Sequence, residues 1–272
     1  MILTALPAEY EAVRSHLISR EALVHPASGT TLERGVLPGT PWLVALAEIG
    51  EGAYTAAVTI ERISAWLEPE ALLFVGVAGS LREDVRIGDV VVATKVYAYH
   101  GGKQTPEGFY ARPRAWVVSH RLEQAARVAL RGWPGVHFKS IAAGDVVLNG
   151  SSAALVDQLR RRYSDAAAIE MEGTGVAHAA HLTEEAETLT IRAISDTADG
   201  VKHPVDTTDI LRSAAARAAE AAMAVLREVN PRGRPSEAPQ SPSDYGGDHL
   251  DFRGSQFYGP FTGKRTGSRQ DE

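Results

Sequence analysis

The chain has no cysteine among its 272 residues. That excludes a disulfide frame, a thiolate nucleophile and a zinc site built on sulfur, and it is compatible with a reducing compartment. Long apolar runs are missing too: no stretch reaches the roughly 18–20 residues that cross a bilayer as a helix. The opening MILTALPAEY has neither the basic stretch nor the small-residue cleavage site of a signal peptide, so a cytoplasmic protein is expected, with no membrane partner. Positive charge is in deficit. With 28 Lys and Arg against 34 Asp and Glu, the formal net charge is −6, which argues against nucleic acid as a partner, because phosphates are bound by neutralising them. Small ligands are the expected partners.

What the chain does have is 44% hydrophobic residues, enough to fill the core of one large α/β domain or two small ones. Apolar runs of strand length alternate with stretches of helical spacing. MILTAL, TTLERGVL, PWLVALAEIG, EALLFVGVAG, VVVATKVYAY, VHFKSIAAGD, AAAIEME and ETLTIRAISD read as strands. Between them AEYEAVRSHL, AYTAAVTIERISAWL, SHRLEQAARVALRG, SAALVDQLRRRY, GTGVAHAAHL and TTDILRSAAARAAEAAMAVLREV read as helices. Such alternation predicts an α/β domain over residues 1–229, with a largely parallel sheet flanked by helices. The Pro, Ser and Gly of residues 230–247 predict a disordered linker. Residues 248–272 carry Leu250, Phe252, Phe257 and Phe261 among glycines, a short segment suited to docking on a protein partner.

Four strand ends carry residues with chemistry. In TALPAE, Glu9 stands in the first turn of a helix, where the dipole favours a carboxylate. In FVGVAGSL, Gly76 and Gly79 let backbone approach a ligand closely, although the stretch is neither a dinucleotide nor a phosphate-loop fingerprint. In AIEMEGTGVAH, Glu170 and Glu172 flank Met171. Alternate residues of a strand share a face, so the two acids are not expected in a core; a solvated strand end stands beside a carboxylate that takes two hydrogen bonds from a diol such as ribose. In IRAISDTADG, Ser195 and Asp196 close a strand, and a part-buried carboxylate there would hold a proton as a general acid needs. A helix cap is the plainer role, open equally to Asp199. His178 and His181 share a helix face without a third ligand, so no metal site is expected, and Arg160, Arg161 and Arg162 read as a solvated helix end. No GxSxG nucleophile elbow occurs.

In this order and spacing, VGVAGSL, VRIGDVVVA, AIEMEGTGVAH and IRAISDTADG resemble the purine nucleoside phosphorylase superfamily, and within it the 5′-methylthioadenosine/S-adenosylhomocysteine nucleosidases. The resemblance spans residues 1–229 and implies a three-layer α/β/α sandwich with a central mixed, largely parallel sheet. The activity it implies is hydrolysis of the N-glycosidic bond of an adenine nucleoside (methylthioadenosine, S-adenosylhomocysteine or a relative) by a homodimer that uses no cofactor. Carried onto this chain, it implies that Glu9 activates the attacking water and that Glu172 holds the ribose hydroxyls, with Met171 against the sugar. It implies likewise that Asp196 protonates adenine at N7, that Ser195 orients that aspartate, and that Arg192 helps to order the site. Backbone groups near Leu148, in GDVVLNG, would read the adenine edge. Val147 stands where the family's usual aromatic lies over the base, and Val77 stands in the glycine motif that also holds Gly79, where a serine is common. Three other readings share these residues: a phosphate-dependent purine nucleoside phosphorylase, a nucleosidase of ATP- or AMP-type nucleotides serving a signalling or defence system, and a non-catalytic nucleotide sensor. In the second, Lys103, Arg112, Arg114, Lys202 and His203 would meet a 5′-phosphate.

Overall fold

The computed structural model describes residues 1–50, 52–106, 108–144, 153–183, 186–197 and 207–232. Met1–Arg232 form one compact unit. Past Arg232, the linker and the C-terminal segment read from the sequence lie outside the described residues. Among the described residues no helix is long and apolar enough to cross a membrane.

The first half of the chain runs β1 (Ile2–Thr4), α1 (Pro7–Arg14), β2 (Ile18–Val24), β3 (Thr31–Val36), β4 (Leu43–Glu48), α2 (Ala53–Leu67) and β5 (Ala71–Ser80). It continues through β6 (Val90–Ala98), β7 (Gly102–Thr105), β8 (Gly108–Ala111), β9 (Arg114–Val117), α3 (His120–Ala129) and β10 (Val136–Ala143). The last part is α4 (Ala153–Arg162), β11 (Ala166–Glu170), α5 (Gly173–Thr183), β12 (Glu187–Thr197) and α6 (Thr207–Glu228). One ten-stranded sheet has the order β11-β10-β6-β12-β5-β1-β4-β3-β2, with β9 against β6. Parallel pairing joins β4, β1, β5 and β12 on one side and β6, β10 and β11 on the other. The remaining pairs of this sheet, β12 with β6, β11 with β5, β2 with β3, β3 with β4 and β6 with β9, are antiparallel. The sheet is therefore mixed, as expected.

β5 explains the architecture. Its run ALLFVGVAGS is buried almost throughout, since strands flank it and helices cover it. It pairs with β12 along its length, with β1 at Leu73 and Phe74 and with β11 at Gly79 and Ser80, so β5, β12, β6, β10 and β11 close a ring. On one face α1, α3 and α6 pack through Val13, Leu122, Ala126 and the alanine-rich stripe Ala214, Ala218, Ala222. On the other, α2 and α5 meet Leu3, Leu72 and Phe74 through Ile60, Ile63, Val176 and Ala180. Helices on both faces make three layers.

Two local expectations change. The first helix stops at Arg14, before Leu17, and the residues after it form β2. That edge strand is exposed along nearly all its length, so it lacks the alternating burial by which a strand is read. β7, β8 and β9 were hidden for a related reason: each has four residues, and β9 is mostly exposed.

Candidate active site

The site starts from how α1 begins. Pro7, with no N–H, opens the helix, and Glu9 at the third position reaches back over the start. Its Oε2 accepts from the backbone N–H of Ala5 (2.8 Å) and Leu6 (3.0 Å), while Oε1 accepts from Val77 N–H in β5 (2.7 Å). Three backbone donors make it tolerable to bury this carboxylate, which is 2% exposed. Val77 thereby contributes its backbone rather than its half-buried side chain.

Arg192 comes from β12, directly opposite Gly76 in the parallel register with β5. It is fully buried, with its guanidinium carbon 3.7 Å from the centroid of the Phe74 ring. Nη2 donates to Glu170 Oε2 at 2.7 Å, and Nη1 stands 4.0 Å from Glu9 Oε1. Among the described residues Nη1 has no hydrogen-bond partner. A methyl group at position 76 would collide with both the guanidinium and the Glu9 carboxylate. Gly76 is expected to give a ligand room, but the protein's own ion pair fills that space.

β11 delivers Glu170 and Glu172, and both are buried, at 6% and 7% exposure, contrary to expectation. The reason is that the strand ends at Glu170, so the two acids no longer alternate as strand residues and each finds its own environment. Glu170 folds onto the start of α5, accepting from the N–H of Glu172 (3.2 Å) and of Gly173 (2.9 and 3.0 Å), besides Arg192. A side chain on Gly173 would strike that carboxylate. Glu172, whose carbonyl opens α5, has one side-chain hydrogen bond among the described residues, a long one of 3.4 Å from Gly52 N–H. Three carboxylates thus surround one guanidinium. Glu170 takes the cation and Glu9 takes the backbone donors. Glu172 is left over. Burial pushes its carboxyl up to about 7; Arg192 opposes this, and the neighbouring charges of Glu170 and Glu9 add to it.

Met171, between them, is half-buried. The role of Glu170 was not legible beforehand, although an acid three residues before a glycine-rich helix start is the available sign of a side chain that caps it.

At the end of β12 the register with β5 slips: Ile194 faces Ala78 and Asp196 faces Gly79, leaving Ser195 as the extra residue of a bulge. Gly79 pairs on its other side with Ile169, so it joins the strand that ends in Glu170 to the one that presents Asp196. Asp196 is exposed rather than part-buried, because pairing of β12 with β6 stops at Ala193 and the strand end keeps a neighbour on one side. Ser195 Oγ donates to Asp196 Oδ2 at 3.0 Å.

Val147, Leu148, Asp199, Lys202 and His203 lie outside the described residues. Lys103, Arg112 and Arg114 are exposed, and the structure gives none of them a place in the acid cluster. Arg160 is more than a solvated helix end, since its Nε donates to Leu81 O at 2.9 Å. His178 packs its ring 5.6 Å from Trp116. Those two rings, with Arg114 and His181, help line a cavity of about 960 Å³ between β9 and α5, to which Glu9, Glu170, Glu172 and Asp196 do not contribute.

Comparison with known proteins bears on this geometry. The family model described as the phosphorylase superfamily matches residues 1–229. A 5′-methylthioadenosine/S-adenosylhomocysteine nucleosidase of Chromohalobacter salexigens is 30% identical over 208 residues, 72% of this chain and 83% of the relative. The structure of the same nucleosidase from Neisseria meningitidis, in complex with methylthio-immucillin-A, aligns with a TM-score of 0.72 and 25% identity, covering 84% of this chain and 98% of that one. The Streptococcus pneumoniae nucleosidase with 8-aminoadenine gives a TM-score of 0.72 and 27% identity, over 84% of this chain and 98% of its own.

Proposed function

The chain belongs to the phosphorylase superfamily, and we infer that it is an N-glycosyl hydrolase that releases adenine from an adenine nucleoside. Its substrate is 5′-methylthioadenosine or S-adenosylhomocysteine, the nucleosides for which its relatives are named. The observation that carries the assignment of the site is Glu172: a buried carboxylate with one long hydrogen bond among the described residues, beside two acids whose acceptors are occupied. Such a group has acceptor capacity for two hydroxyls, which is what a ribose diol offers. Donation from the diol favours the charged form, so binding strengthens as pH rises through the carboxyl's value of about 7.

Glycosidic cleavage builds positive charge on the sugar while negative charge collects on the leaving base. The bond from C1′ to the base breaks and a bond from C1′ to a water oxygen forms. Glu9 takes the proton that the water loses. Its Oε1 is 4.0 Å from Arg192 Nη1, which has no hydrogen-bond partner among the described residues, and one water can bridge that span with hydrogen bonds to both. Asp196 gives its proton to N7, relieving the charge on adenine, and Ser195 holds that carboxyl in orientation. Met171 packs against the sugar, and Gly79 keeps the floor between the strands free of side chain. Tyr54 and Val58, exposed one turn apart on α2, support a homodimer, and the enzyme serves methionine salvage in the cytoplasm.

Adenine release by the purified protein, measured with and without inorganic phosphate, tests the reaction. Turnover is expected without phosphate; strict dependence on it makes the enzyme a phosphorylase. Asp196→Asn should lower kcat by about 10²–10⁴-fold while leaving the melting temperature where it was. Undiminished turnover in that variant removes Asp196 from the mechanism.

A further inference from the structure

The turn before β6 reaches the end of β12. Asp89 Oδ2 accepts from Arg86 N–H at 3.0 Å and meets His137 Nε2 at 2.9 Å, while Asp89 N–H donates to Arg86 O at 2.9 Å. Gly88 within the turn has a φ of +87°, in the left-handed region that favours glycine. The other oxygen of Asp89 lies so close to Gly135 that a side chain there would strike it. Val90 N–H donates to Gly135 O at 2.7 Å. The carboxylate is thus held, partly buried, between its own turn and the start of β10.

What the turn holds is Ile194. Gly88 N–H donates to Ile194 O at 2.8 Å, and Ile194 N–H donates to Asp89 O at 2.8 Å. Ile194 is fully buried, and the next residue is Ser195, the extra residue of the bulge that re-aims Asp196. Elsewhere β6 holds β12 through Val90, Val91 and Val92, with no polar side chain involved. A carboxylate and an imidazole are added only at the rung where the bulge begins.

We propose that Asp89, braced by His137, is a positioning residue for Asp196: it fixes the turn that grips Ile194 and so sets the direction in which the bulge presents the acid. This rests on the reading of Asp196 as the group that protonates the leaving base. Neither Asp89 nor His137 touches substrate; they act through the backbone of one residue. A displacement of the acid by about 1 Å is enough to cost on the order of 10²-fold in rate.

The test compares two leaving groups. Wild type, Asp89→Ala, His137→Leu and Asp196→Asn are assayed on 5′-methylthioadenosine, whose adenine leaves with a proton, and on 4-nitrophenyl β-D-riboside, whose nitrophenolate leaves without one. Asp89→Ala should lower kcat on the nucleoside at least about tenfold, with KM and the nitrophenyl reaction held within about threefold, the pattern also expected of Asp196→Asn. An equal loss on both substrates, or no loss on either, overturns the proposal while Asp196→Asn still shows its selective defect. If Asp196→Asn itself shows no selective defect, the assignment of Asp196 is what has failed. Should Asp89→Ala not fold, His137→Leu decides by the same comparison of substrates.

Discussion

Glu170 and Asp196 end strands on either side of Gly79, yet the fold treats them in opposite ways. Glu170 is 6% exposed and saturated by Arg192 and the N–H groups of Glu172 and Gly173. Asp196 is exposed next to a bulge, where Ser195 Oγ donates to one of its oxygens. An acid whose task is to pair with a buried cation needs no contact with water. One that surrenders a proton in every turnover must recover it from water, and an exposed strand end gives that exchange a direct route. The bulge and the rungs behind it give the second acid a backbone mounting.

The contrast is broken most severely at Arg192. Arg192→Ala leaves the buried Glu170 carboxylate without its cation, and should cost about 3–5 kcal/mol of stability in denaturant unfolding. Asp196→Ala, at the exposed end, should shift stability by less than about 0.5 kcal/mol. Comparable losses in the two variants would erase the distinction.

A smaller effect is expected at Glu172, where pH does the work. Its folded value of about 7 lies above the ordinary 4.5, so the folded protein binds this proton more tightly than the unfolded chain. The stabilisation is fully present below about 4.5 and is lost as pH rises through about 7. Glu172→Gln should therefore remove a fall in melting temperature that wild type shows across this window, while raising KM for the nucleoside. A wild-type profile parallel to that of the variant would mean that Glu172 titrates normally.

The smallest change is Ser195→Ala. Its hydroxyl bonds Asp196 in the presence of water, so stability should move by less than about 0.5 kcal/mol. kcat should fall severalfold, within the reach of about 1 kcal/mol for one hydrogen bond. A melting shift larger than that of Asp196→Ala would show that Ser195 supports the strand rather than the acid.

Much of the fold could be read from the chain because its elements have strong periods: the buried run of β5 and the alanine stripe of α6 announce themselves. β2 and β9 do not, since edge strands bury too little to leave a pattern. At the site, the residue types were legible and their surroundings were not. Nothing in IEMEG states that Glu170 will take the guanidinium and leave Glu172 without one, because the choice depends on an arginine from β12 meeting a glycine of β5. The same long-range pairing decides what Gly76 is for. Asp89 stands in the motif VRIGDVVVA, yet its role was not legible there, since its partners His137 and Ile194 come from other strands.

The ring of strands has an implication for how the molecule is made. β12 lies between β5 and β6, although it is the last strand in the described chain. A nascent chain on the ribosome therefore carries β5 and β6 with open edges until residues 187–197 emerge, and open edges of apolar strands are templates for misassembly. Folding must wait for the strand that bears Arg192 and Asp196, so the site is completed in the same step that seals the sheet. A premature stop before this strand leaves no partial enzyme, only an aggregation-prone half-sheet.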